Sequence, residues 1–110
     1  MECGLSRKNI SQIKRIFERF EEVKEAVLYG SRAKGNYKLG SDIDIALKGE
    51  KLNVRLLNKI DFDLDELFLP YTFDISIYDH ISNKDLIAHI QRVGKILYQK
   101  NCEQQDQNTP

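Results

Sequence analysis

The chain has 110 residues, with 17 basic against 17 acidic side chains, a formal net charge of zero and a hydrophobic fraction of 41%. That length supports one small domain with a single core and little room for a second lobe around a bulky substrate, and the charge balance argues against a stand-alone nucleic-acid binder. Cys3 and Cys102 lack a Cys or His at metal-ligand spacing, and no apolar run approaches the roughly 20 residues of a membrane span, so a cytoplasmic protein without zinc or disulfides is expected.

From Ser6 to Phe20 the apolar residues Ile10, Ile13, Ile16, Phe17 and Phe20 recur at three- and four-residue steps among charged side chains, which predicts an amphipathic helix. Lys24 to Tyr29 is short, partly β-branched and stopped by Gly30, as a strand entering a tight turn would be, and a brief helical turn is predicted from Ser31. Between Ser41 and Leu47 the side chains alternate, with Ile43, Ile45 and Leu47 on one face and Asp42, Asp44 and Ala46 on the other. Leu52 to Phe68 returns to helical spacing before Pro70, and Phe73 to Tyr78 alternates again, with Asp74 on its polar face. Ser82 to Asp85 resembles a capping box ahead of Leu86, Ile90, Val93 and Leu97, which predicts a last helix of about four turns. The domain is thus expected over residues 1–100, with residues 101–110 as a disordered polar tail. The resulting order is α-β-α-β-α-β-α. Because two strands carry carboxylates on one face, helices are expected on the other face only, in a two-layer α+β domain.

The chemistry concentrates between Leu28 and Asp44. Gly30 and Ser31 follow a strand and open a helical turn, where free backbone N–H groups favour an anion; Gly30 admits a phosphate without a Cβ, and Ser31 adds a hydroxyl donor. Arg32 and Lys34 add positive charge, and Ser41 is counted with these nucleotide-binding candidates. Asp42 and Asp44, two apart on a strand, aim both carboxylates to one side, a donor set suited to Mg²⁺ or Mn²⁺. If the strand bearing Asp74 lies beside them, at about 4.8 Å, three acids converge and repel unless a cation neutralises them. A phosphate cradle beside an acid trio is what nucleotidyl transfer needs, with Asp74 as general base or nucleophile-side ligand.

Gly30-Ser31, ten intervening residues, Asp42-x-Asp44 and the later Asp74 resemble the signature of the DNA polymerase beta-like nucleotidyltransferase superfamily, over roughly residues 8–98. The Gly-Ser-Arg-Ala-Lys-Gly stretch and the small size resemble its minimal nucleotidyltransferases, the MNT antitoxins paired with HEPN toxins. The resemblance implies a mixed-sheet nucleotidyltransferase fold, MgATP as donor and transfer of AMP to a tyrosine of a HEPN-type partner encoded nearby. It assigns triphosphate binding to Gly30 and Ser31, and metal binding and catalysis to Asp42, Asp44 and Asp74. Antibiotic-modifying relatives carry an acceptor-binding module that is not seen here, so the acceptor is expected on another chain. Two alternatives remain: a small-molecule acceptor such as an aminoglycoside, and a non-catalytic nucleotide- or partner-binding module.

Other clusters read more plainly. Asp61, Asp63, Asp65 and Glu66 would not converge on a helix, since Asp63 points about 200° from Asp61, and are expected on a solvated face. His80 and His89 are expected in surface or capping roles, and Tyr29, Tyr37, Tyr71, Tyr78 and Tyr98 at core edges, loops or interfaces.

Overall fold

A computed structural model describes residues 5–30 and 42–100. Helix α1, Arg7–Glu18, starts at Ser6, whose hydroxyl accepts the Asn9 N–H at 3.0 Å. Its Ile13, Ile16 and Phe17 are buried, as their spacing predicts. Strands β1, Glu25–Tyr29, and β2, Ile43–Lys48, pair antiparallel. Helix α2, Val54–Asp65, is capped by Asn53, whose side chain accepts the Leu56 N–H at 2.8 Å, and leads to β3, Phe73–Ile77, which runs parallel to β2. After a short 3-10 turn at Tyr78–His80 come helix α3, Lys84–Val93, and strand β4, Lys95–Gln99.

The four strands form one mixed sheet in the order β3-β2-β1-β4. Ala26 and Leu28 of β1, Ile43, Ile45 and Leu47 of β2, Ile77 of β3 and Leu97 of β4 face α1 and α2, meeting Ile13, Ile16, Phe17, Ile60 and Leu64 in the main core. Each fully buried side chain of this size contributes about 1.5–3 kcal/mol, and this layer accounts for most of the driving force.

The end of the chain differs from its sequence reading. The predicted helix through Leu97 stops at Val93, and Lys95–Gln99 forms β4, antiparallel to β1, with Leu97 buried and Ile96 exposed. Gly94 makes the break: a Cβ there would overlap Ile90 O and crowd Val27 Cγ1. The Ile-Leu-Tyr content beyond it favours a strand on the open edge of β1. The cap also lies one residue later than predicted. Asn83, not Ser82, accepts the Asp85 and Leu86 N–H groups at 2.9 and 3.2 Å.

A second departure concerns the layers. Helix α3 packs on the face opposite α1 and α2, where Val27, Tyr29 and Ala46 form a second apolar cluster with Ile90, Leu86, Tyr78 and Ile81. The carboxylates of β2 and β3 make part of this face polar, but β1 is apolar on both sides, so one helix covers half of it. The other half stays open around Asp44 and Asp74. Cys3, the predicted turn at Ser31, and the tail at 101–110 with Cys102 lie outside the described residues. Among the described residues no helix is long and apolar enough to cross a membrane.

Candidate active site

The site is a row across three strands. Antiparallel pairing sets Tyr29 opposite Asp44, and parallel pairing sets Asp44 beside Asp74, so the side chains of all three leave the sheet on one face. This supplies the adjacency that the sequence left conditional. Asp42 precedes β2 by one residue and is exposed, as is Asp74; Asp44 is half-buried between them. Burial is the main reason that the Asp44 carboxyl is pushed above its ordinary value, and the negative charges of Asp74 and Asp42 push it the same way.

Among the described residues no Lys or Arg lies within ion-pair distance of these acids; the two described pairs are Arg19 with Asp63 and Lys48 with Glu25. Nor are three acidic, histidine or cysteine side chains gathered tightly enough there to enclose an ion by themselves. The donor set is all oxygen and open to solvent, which fits a hard cation sharing its coordination shell with ligand phosphates and water.

Gly30 closes the row. Its φ of +77° is in the left-handed region, and a Cβ would overlap the Asp44 carboxylate, so both backbone and contact require glycine. The chain therefore leaves β1 directly over Asp44. Its amide is taken: the Gly30 N–H donates to His89 Nε2 at 3.2 Å. What Gly30 offers at this end of the sheet is its turn and its missing side chain, since its amide is held by α3. Ser31, Arg32, Lys34, Tyr37 and Ser41 lie outside the described residues.

Two residues of this site were not singled out by their sequence pattern. Tyr29 lies near the Ser76 side chain of β3, the strand neighbour of Ala46, and packs in a cluster with Ala46. Burial raises the Tyr29 phenol above its ordinary value; the Ser76 side chain opposes this, and Asp44 and Asp74 reinforce it. His89 comes from α3, 59 residues away in sequence from the amide it accepts, and packs edge-on against Tyr29 with ring centroids 6.3 Å apart. The strand position of Tyr29, on the same face as Asp44, was readable as a pattern; the His89 contact had no local signal.

The acidic run on α2 separates as its helical spacing predicts. Asp63 lies 3.8 Å from Arg19, whereas Asp61 turns toward β3. Asp61 is half-buried rather than fully solvated, and burial, then Asp65, then Asp74, raise its carboxyl. With Leu57, Asn58, Phe73, Asp74 and Ile75 it lines a cleft of about 180 Å³ beside the site. A larger cavity of about 540 Å³, lined by residues including Glu22, Gly49 and Asp79, lies at the opposite ends of β1 and β2, remote from these acids.

A mixed sheet that carries Asp44 on one strand with Asp42 just before it, a third acid on its parallel neighbour and a glycine turn against Asp44 is that of a nucleotidyltransferase domain, and the chain belongs to the polymerase beta nucleotidyltransferase family, whose model matches residues 11–103. It is 34% identical over 101 residues to the protein adenylyltransferase MntA of Aphanizomenon flos-aquae, covering 84% of this chain and 67% of that protein. Its fold is similar to that of a toxin-antitoxin crystallised with AMP-PNP, at TM-score 0.67 and 20% identity over 88% of this chain and 76% of that one. It is also similar to a chain in the complex of tri-AMPylated Shewanella oneidensis HEPN toxin with MNT antitoxin, at TM-score 0.65 and 17% identity over 87% and 74% of the two chains.

Proposed function

We propose that this chain is a protein adenylyltransferase that moves AMP from ATP to a hydroxyl, a tyrosine's, on a HEPN-type toxin and so acts as its antitoxin. The observation that carries the reading is the in-register placement of Asp44 beside Asp74 beneath the Gly30 turn. It is supported by the relative named protein adenylyltransferase MntA and by a similar fold found in complex with an AMPylated HEPN toxin.

In this reading Gly30 and Ser31 receive the triphosphate, with Arg32, Lys34 and Ser41 around it, and Asp42 and Asp44 hold Mg²⁺ or Mn²⁺ together with Asp74. A cation held by these carboxylates would supply charge neutralisation at the phosphates and ease ionisation of the attacking hydroxyl. Asp74, exposed at the outer end of the row, accepts the hydroxyl proton as the oxygen attacks the α-phosphorus and pyrophosphate departs. Burial and like charge disfavour an ionised Asp44 in the free protein, so a cation bound at this site would relieve the repulsion among the acids.

The test is incubation of the purified chain with MgATP and the helical protein encoded beside it, read by intact mass. A gain of one or more AMP units on a tyrosine of that protein is expected, and Asp44→Asn should reduce the rate by at least about 100-fold while keeping the fold. MgATP binding without transfer to that protein, or unchanged transfer by Asp44→Asn, would overturn the proposal.

A further inference from the structure

We propose that His89 is a positioning residue for the donor nucleotide, acting through the Gly30 amide. The inference rests on the nucleotidyl-transfer reading above, because Gly30, whose amide His89 holds, is a residue which that reading assigns to the triphosphate.

Gly30 is the residue in the site with the least intrinsic preference for one backbone shape, since glycine populates both signs of φ. It is held at φ +77°, and a neighbouring element supplies the restraint. His89 Nε2 accepts its N–H across a part-buried contact of 3.2 Å, which sets the plane of the Tyr29–Gly30 peptide. Tyr29, on the other side of that peptide, is held by packing with Val27, Ala46 and Ile90 and by the edge of the His89 ring. One imidazole therefore touches both residues at the end of β1.

The helix that carries it is well anchored. Ile90, next to His89, is 3% exposed and packs with Val27, Tyr29 and Ala46. At its end, Gly94 allows the backbone to come against Val27. Helix α3 is thus docked on the far side of the sheet from the main core, and its contact with the turn is made by a side chain with a directional acceptor. A contact made only for packing would not need one, because the ring's edge alone satisfies Tyr29.

The geometry has a chemical signature. An imidazole nitrogen accepts a hydrogen bond only when it carries no proton, so His89 must be neutral with its proton on Nδ1. This is the minority tautomer of a free imidazole, and the wild-type protein can be examined for it directly by ¹⁵N NMR of the His89 ring.

The kinetic test compares His89→Leu, which removes the acceptor, with His89→Gln, whose Oε1 restores one at similar reach. For His89→Leu we expect the KM for MgATP to rise about tenfold, with the KM for the acceptor protein unchanged; Gln should recover to within about threefold of wild type. A merely structural role would lower the active fraction and depress kcat alone, without a donor-specific change in KM. Nucleotide affinity by calorimetry should follow the same order.

An Nε2-protonated ring in wild type overturns the inference, as does a Gln variant as impaired as Leu. If His89→Leu does not fold, the Gln variant and the ring tautomer decide by the same criteria. Wild-type protein that neither binds MgATP nor transfers AMP overturns the functional reading and the inference with it. Wild-type protein that does both, beside a His89→Leu variant indistinguishable from it, overturns the inference alone.

Discussion

Gly30 combines a left-handed backbone, which residues with a side chain rarely adopt, with a position where an added Cβ would meet the Asp44 carboxylate. Gly30→Ala should therefore destabilise the domain by about 1–3 kcal/mol in urea unfolding, from backbone strain and the displaced carboxylate. It should also reduce AMP transfer by more than the lost folded fraction explains, because Asp44 itself must move. Transfer that falls only in step with the folded fraction would show that the contact is dispensable. The sequence marked Gly30 for phosphate approach, and strand alternation placed Asp42, Asp44 and Asp74 on polar faces. The engagement of its amide was not legible, since its partner His89 stands on a helix 59 residues away and no local pattern connects them.

Among the elements, β4 shows how one periodicity can conceal another. Leu86, Ile90, Val93 and Leu97 fit a single helical stripe, yet Leu97 reaches the main core from a strand, after Gly94 has ended the helix on the opposite face of the sheet. A helix and a strand that bury residues on opposite faces satisfied one spacing rule by coincidence, and Gly94, the strand-favouring residues after it and the open edge of β1 separate the two readings. Adjacent residues discriminate them by experiment. Leu97 is 1% exposed and Ile96 52%. Leu97→Ala should destabilise by about 2–4 kcal/mol, whereas Ile96→Thr should change stability by no more than about 0.5 kcal/mol. Comparable losses at both positions in urea denaturation would contradict a strand with one face to the core. The same reasoning explains why helices were expected on one face only: β2 and β3 carry acids there, and the apolar second face of β1, formed by Val27 and Tyr29, was outweighed in the pattern.

Across the whole molecule, a net charge of zero hides a local excess of negative charge that the fold maintains against its own stability. The Asp44 carboxyl is raised in the folded state by burial and by Asp74 and Asp42, so the folded protein holds that proton to higher pH than the unfolded chain does. Its favourable contribution is complete below the unfolded value of about 3.9 and is lost as pH rises through the folded value. Near neutral pH, without a divalent cation, ionised Asp44 therefore weakens the fold. Asp44→Asn should melt at a higher temperature than wild type at pH 7, and the difference should shrink as pH is lowered toward 4; a difference independent of pH would rule out this electrostatic origin. A cation that binds only the folded state reverses the balance, stabilising by about 2.7 kcal/mol at a concentration 100 times its Kd. Added Mg²⁺ should thus raise the wild-type melting temperature at pH 7 and raise that of Asp44→Asn much less. An equal response in the two proteins would mean that the cation binds elsewhere. On this account Asp44, which weakens the free domain, is the same group that would hold a cation with the donor, and stability and activity should respond to it with opposite signs.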